Sequence, residues 1–261
     1  MPQKPRDLAT FFLSQGRHVF TVDEAAETLA SNRGAALDAL ERLQERGEVF
    51  SPTKGLYVAV PPEYLSWRVV PGVWFIDAMM CHLERPYYVA LLTAARMHGA
   101  AHQAPQVFQV MTDGRRIRDR DLERVRLRFY ESKHIGDDET VQITVPTGHA
   151  TVSTKETTVV DLITYPHASG GYDNVATILG ELEDLSGSAL ARVASRRTRA
   201  TARRTGWFVE RFGDADDLEA LRQAARLDVG DPSLLDRSGP RRGPADPSWS
   251  VRLNASFEPD R

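Results

Sequence analysis

One stretch constrains the fold more than any other: Ser31 to Val58, SNRGAALDALERLQERGEVFSPTKGLYV. Ala36, Leu40 and Leu43 recur at i, i+4 and i+7, the period of one helix face, so a helix is expected over Asn32 to Arg46. Ser31 stands where an N-cap oxygen takes up an amide that the first turn leaves unpaired. Gly47 supplies the stop. Two short apolar runs follow, Glu48 to Phe50 and Leu56 to Val60, separated by Ser51-Pro52-Thr53-Lys54-Gly55, a turn by composition. A helix that feeds a two-stranded ribbon leaves few topologies open.

The residues before it narrow the choice. Arg6 to Gln15 carries Leu8, Phe11 and Phe12, stops at Gly16, and reads as a short helix. Thr21-Val22-Asp23-Glu24 is a capping box that opens a second helix, Val22 to Leu29. Three helices and a hairpin within residues 6–60 make a winged helix-turn-helix, and Pro61, Pro62 and Pro71 mark a break after it. The fold class expected is α+β: an N-terminal winged helix-turn-helix domain, residues 1–65, followed by a larger mixed α/β C-terminal domain, residues 66–261. In that second part helices are expected at Phe75 to Leu83, Tyr88 to His98, Lys155 to Thr164, Asn174 to Asp184, Gly187 to Thr205 and Ala215 to Arg226. Strands are expected at Val107 to Thr112, Val125 to Tyr130, Val141 to Val145, His149 to Ser153 and, after an irregular stretch from Asp228, Trp249 to Phe257.

A 261-residue chain that is 41% apolar has enough material for a sizeable core. The single cysteine, Cys81, excludes an intrachain disulfide and fits a reducing compartment. No run approaches 18 uninterrupted apolar residues, the least a membrane-crossing helix needs. A soluble, cytoplasmic protein without a membrane partner is expected. The net charge of −3 says little about partners; the local distribution of charge says more.

A recognition helix presents its N-terminal residues to base edges while cations and amides hold phosphates. Ser31, Asn32 and Arg33 stand at that N-terminus; Asn can read adenine and Arg guanine, each with two hydrogen bonds. Thr53 and Lys54 occupy the hairpin turn, and Arg17 lies between the first two helices, in reach of a flanking phosphate. Asp38, Glu41 and Glu45 on the third helix repel DNA, so a helical domain used for protein contacts is the alternative. A second feature is ALARVASRRTRATARRTGW, Ala189 to Trp207, with six arginines and no acid. Arg192, Arg196, Arg199 and Arg203 step by 4, 3 and 4, which puts them on one face of a continuous helix. Like charges so close repel unless an anion is near; that anion is DNA, RNA, or an acidic patch on a partner or on this chain, and DNA phosphate is the one expected. The stretch Asp113 to Arg128 is also basic but reads as a solvated loop and strand.

Catalytic signals are weak. Gly-x-Ser-x-Gly, P-loop, CxxC and HExxH patterns are all missing. His98 and His102 are spaced i, i+4, but Gly99 lies between them, and packing or capping histidines explain them better than a metal site. Neither an enzyme, nor a metal, nor a cofactor is expected.

In their order, these segments resemble the AbiEi family, the antitoxins of type IV toxin–antitoxin systems. The resemblance is carried by the N-terminal stretch closing on KGLYV, by YYVALLTAARMHGAAHQAP (Tyr87 to Pro105), by VSTKETTVVDLITYPHASGG (Val152 to Gly171) and by the tail LLDRSGPRRGPADPSWSVRLN (Leu234 to Asn254). It implies two roles. The N-terminal domain represses its own operon by binding inverted repeats in double-stranded promoter DNA. The C-terminal domain counters a cognate nucleotidyltransferase-like toxin, directly or indirectly, and contributes to holding DNA. A monomer in solution that binds cooperatively on DNA is one arrangement this allows. The alternative is an interaction protein that neutralises the toxin by contact without binding DNA.

Overall fold

A computed structural model describes residues 3–100 and 107–257. A 3-10 turn, Pro5–Asp7, leads into α1 (Leu8–Ser14), β1 (Val19–Thr21), α2 (Val22–Leu29), α3 (Arg33–Glu45), β2 (Val49–Thr53) and β3 (Leu56–Ala59). The three strands form an antiparallel sheet of order β1-β3-β2, with Phe20 opposite Tyr57 and Val49 opposite Ala59. The β2–β3 register shifts between Phe50 and Thr53. Pro52 lies in that interval and has no N–H to give the ladder. Gly55 closes the turn at φ +83, a left-handed conformation that side chains disfavour.

Leu8, Phe12, Phe20, Val22, Ala25, Leu40, Leu43 and Val49 pack into one core drawn wholly from this segment. Phe12 stacks flat on Phe20 with ring centroids 4.0 Å apart. The expected capping box at Thr21 is present: Thr21 Oγ1 accepts from the Glu24 amide at 3.2 Å and the Thr21 amide donates to Glu24 Oε2 at 2.7 Å.

Two 3-10 turns, Pro62–Tyr64 and Gly72–Trp74, precede α4 (Ile76–His82), β4 (Tyr87–Val89) and α5 (Leu91–Met97). The single helix expected over Tyr88 to His98 is therefore a strand followed by a helix. Tyr87, Tyr88 and Val89 are strand formers, and Leu91, the first residue of α5, turns the chain at φ +53. Next come β5 (Phe108–Thr112), β6 (Arg120–Leu122), β7 (Val125–Glu131), β8 (Thr140–Val145) and β9 (Gly148–Ser153). The sheet order is β6-β7-β5-β4-β9-β8. Strands β5 and β7 run parallel, with Phe108 opposite Leu127; β6 and β7 run antiparallel, with Asp121 opposite Arg126; β4 and β9 pair in parallel at Val89 and Val152.

Five helices follow: α6 (Lys155–Thr164), α7 (Gly171–Glu181), α8 (Gly187–Ser195), α9 (Arg199–Phe212) and α10 (Glu219–Ala225). The helix expected over Gly187 to Thr205 is thus two helices. Thr198 breaks it by acting as the N-cap of α9, its hydroxyl oxygen accepting from the Thr201 amide at 3.2 Å. The apolar run at Trp207 continues α9. The late strand shortens to β12 (Val251–Arg252), between β10 (Ser233–Leu234) and β11 (Ala245–Asp246). Trp249 is fully buried, and its ring lies where a Cβ on Gly206 would stand, so only glycine fits there.

The chain divides into two compact units. The first comprises residues 1–88, 106–133 and 142–151; the second comprises 89–105, 134–141 and 152–261. The first contains the whole N-terminal segment, whose Phe50 packs edge-on against Phe75 with centroids 5.3 Å apart. The core of the second includes Val159, Ile163, Leu179, Leu190, Val193 and Phe208. No helix of the described residues is long and apolar enough to cross a membrane.

Candidate nucleic-acid interface

Helix α3 buries Ala36, Ala39, Leu40 and Leu43 and leaves its opposite face in solvent. Ala30 ends α2 in the left-handed region (φ 49), and the Ser31 amide donates to the Ala26 carbonyl at 3.0 Å. That closing bond moves the start of α3 on by one residue. Asn32, not Ser31, is therefore the N-cap, its Oδ1 accepting from the Ala35 amide at 2.9 Å. The Ser31 hydroxyl donates instead to the Asn32 carbonyl at 3.3 Å. With its Oδ1 holding the helix end, the Asn32 side chain offers its NH₂ donors outward.

Arg33 is exposed and paired with Asp23 of α2. Arg17 is paired with Glu24 and sits over the Phe12 ring, 5.2 Å from its centroid. Burial opposes ionisation of Glu24, but the Thr21 amide and the Arg17 guanidinium outweigh it and hold the carboxyl below the usual range. Both cations are held at the first turn of α2 through exchangeable surface pairs, each worth about 0–1 kcal/mol. Asp38, Glu41 and Glu45 are exposed on the same helix, as expected.

Of the turn residues, Lys54 is exposed, while Thr53 is buried at 8% exposure and its carbonyl accepts from Ser51 Oγ. The turn is braced from both sides. Arg120 Nε donates to the Pro52 carbonyl at 3.3 Å, and His82 Nε2 pairs with the Lys54 carbonyl at 3.1 Å. Of Thr53 and Lys54, Lys54 alone faces solvent.

The shared face expected for Arg192, Arg196, Arg199 and Arg203 does not form, because the segment is two helices. Arg192 makes a two-pronged bond to Glu139, at 2.8 and 3.0 Å. Arg196 donates to the Asp137 carbonyl. Arg197 lies between the buried carboxylates of Asp138 (2.9 Å) and Asp161 (3.2 Å). Arg203 is fully buried: Nε donates to the Ala225 carbonyl at 3.2 Å, Nη1 to Asp231 at 2.9 Å, and Nη2 to Arg226 and Val229, both at 2.7 Å. Arg204 Nε donates to the Leu234 carbonyl at 2.7 Å. Burial pulls the pKa of Arg203 and of Arg204 below the arginine range. Arg199 is exposed and makes no ion pair among the described residues.

Five of these six arginines therefore answer groups within the second unit. Reading the segment by itself missed their partners, although the triplet Asp137-Asp138-Glu139 is visible in the sequence about 55 residues upstream. His98 donates to the Ser153 carbonyl at 2.7 Å, a packing role; His102 lies outside the described residues. Among the described residues no group of three His, Cys, Asp or Glu side chains is placed to hold a metal.

The elements thus define an α+β protein with a three-helix, three-stranded N-terminal segment and a helix-rich second unit. Residues 88–211 match the family model described as the AbiEi antitoxin C-terminal domain. The fold is similar to that in the crystal structure of the RV2827C protein from Mycobacterium tuberculosis. The TM-score is 0.65 at 12% identity, over 96% of this chain and 92% of that one. No curated protein matches the chain in sequence.

Proposed function

We propose that this chain is an AbiEi-type antitoxin and that it represses its own operon through residues 1–65, a winged helix-turn-helix that binds inverted repeats in the promoter. Its C-terminal domain counters a nucleotidyltransferase-type toxin encoded beside it. The observation that carries the DNA reading is the α2–α3 unit. A three-residue turn joins two capped helices, the second buries one face in the N-terminal core, and its N-terminus is left open with Asn32 and Arg33 at the rim. Arg33 is the base reader of this proposal, Arg17, Ser31 and Lys54 hold flanking phosphates, and Arg199 is the arginine of the later segment still open to one.

The acidic exposed residues of α3 favour the second reading, an interaction protein that does not bind DNA. A reporter driven by the upstream promoter separates the two. Under the proposal the full-length chain lowers its output and Arg33→Ala restores it, while both proteins rescue growth against the neighbouring gene's product. Unchanged reporter output with intact rescue supports the second reading.

A further inference from the structure

The stretch Asp113 to Arg128 carries seven arginines and four acids, a net +3 (7 − 4) in a chain of net −3. Three of the four acids are already matched. Asp113 pairs with Arg85 and Arg115, and Asp119 and Asp121 both pair with Arg128. Arg124 lies over the Trp67 ring, 5.3 Å from its centroid. Arg116, Arg118 and Arg126 are exposed and make no ion pair among the described residues. Arg116 and Arg118 line one cleft of about 250 Å³, and Arg126 lies on β7 opposite Asp121 of the edge strand. Arg116 and Arg118 share that cleft with Asp119 and Glu131; with Arg126 they are exposed arginines of the stretch left without an ion pair among the described residues, and unmatched cations favour a nearby anion.

Their position suggests the anion. Arg120 of β6 reaches the Pro52 carbonyl, so within the first unit this hairpin braces the β2–β3 turn whose tip is Lys54. Helix α3, with Asp38, Glu41 and Glu45 exposed, supplies little net attraction for a polyanion.

We propose that the β6–β7 hairpin and the loop leading into it form a phosphate-binding element. It holds the backbone of duplex DNA beside the stretch presented to α3. This rests on the DNA reading above and deepens it: the electrostatic hold comes from Arg116, Arg118 and Arg126, and base reading from α3. Guanidinium groups meet phosphate oxygens through paired N–H donors without regard to sequence.

The test is a salt titration of full-length protein on the upstream promoter duplex and on a random duplex of equal length. Each arginine paired with a phosphate adds close to one unit to the slope of log affinity against log salt. The variant R116Q/R118Q/R126Q is expected to flatten the slope by roughly two to three units on both duplexes and to leave their affinity ratio unchanged. A control, R237Q/R241Q/R242Q, removes the same charge from exposed positions in the tail and is expected to leave the slope alone. If the triple variant is less folded by circular dichroism, R126Q alone is expected to flatten the slope by roughly one unit. Wild-type binding with an unchanged variant slope overturns the hairpin proposal only, as does equal flattening by the control. An unchanged slope with lost toxin neutralisation also overturns it, assigning the patch to a protein partner. Wild-type protein that binds neither duplex overturns the DNA reading itself, and this proposal with it.

Discussion

Replacing Arg203 with alanine tests whether the arginine-rich segment is internal framework. Its guanidinium donates four hydrogen bonds from a fully buried position, all to carbonyls of residues 225–231. The bond to Ala225 is wholly buried, and an acceptor left bare there costs about 1–3 kcal/mol. The other three carbonyls belong to exposed residues. Water can replace those donors after the loop relaxes, so each loss is closer to the net worth of a bond, about 0.5–1.5 kcal/mol. With the void left by the side chain, Arg203→Ala is expected to cost at least about 3 kcal/mol, toward the upper end of single substitutions. Arg203→Lys has only three donors to offer and is expected to cost about 1–2 kcal/mol. Urea unfolding followed by far-ultraviolet circular dichroism measures both. If Arg203→Ala costs under about 1 kcal/mol, or if it flattens the salt slope of DNA binding by about a unit, the internal assignment is wrong.

Three further outcomes are expected. Arg33→Ala should weaken binding by about 1–3 kcal/mol at one base position while changing the salt slope little; equal weakening on promoter and random duplexes makes Arg33 a phosphate contact instead. A fragment of residues 1–65, proposed as a domain, should keep its helices but melt at least about 8 °C below a fragment of residues 1–88, because cutting at 65 removes the Phe75 ring from Phe50, a burial worth about 2 kcal/mol; equal melting temperatures refute this. The hydrogen bond from Arg192 is the chief influence on Glu139 and holds its carboxyl below the glutamate range despite partial burial. A depressed carboxyl stabilises the fold above its unfolded pKa, and the stability is lost as pH falls through the folded one. Glu139→Gln should therefore show a shallower loss of stability on acidification; identical acid profiles count against the pair.

Local signals carried the N-terminal segment. Period 3.6, a capping box and a turn of Pro, Thr, Lys and Gly are all contained within it, and so is its core of residues 8–59. Lys155 to Thr164 was legible for the same reason, since Thr154 caps a short apolar run. What the sequence hid were partnerships at long range. The α8–α9 arginines read as a free stripe only while Asp137, Asp138, Glu139 and Asp161, which lie 36 to 59 residues away, and the carbonyls that hold Arg203 and Arg204 are left out. The shift of the α3 cap from Ser31 to Asn32 depended on Ala30 adopting a left-handed conformation, which no alanine advertises. The basic stretch after β5 read in sequence as a solvated loop and strand; three of its arginines without an ion pair among the described residues emerged only once its acids had found their partners.

The most direct test of the central claim is a comparison of affinities. The full-length protein is titrated by fluorescence anisotropy against the duplex upstream of its own operon and against a random duplex, at one physiological salt concentration. A sequence-reading winged helix predicts tighter binding to the upstream duplex by a factor of roughly 10³ or more. Equal affinity for the two duplexes, or binding to neither, would contradict the account.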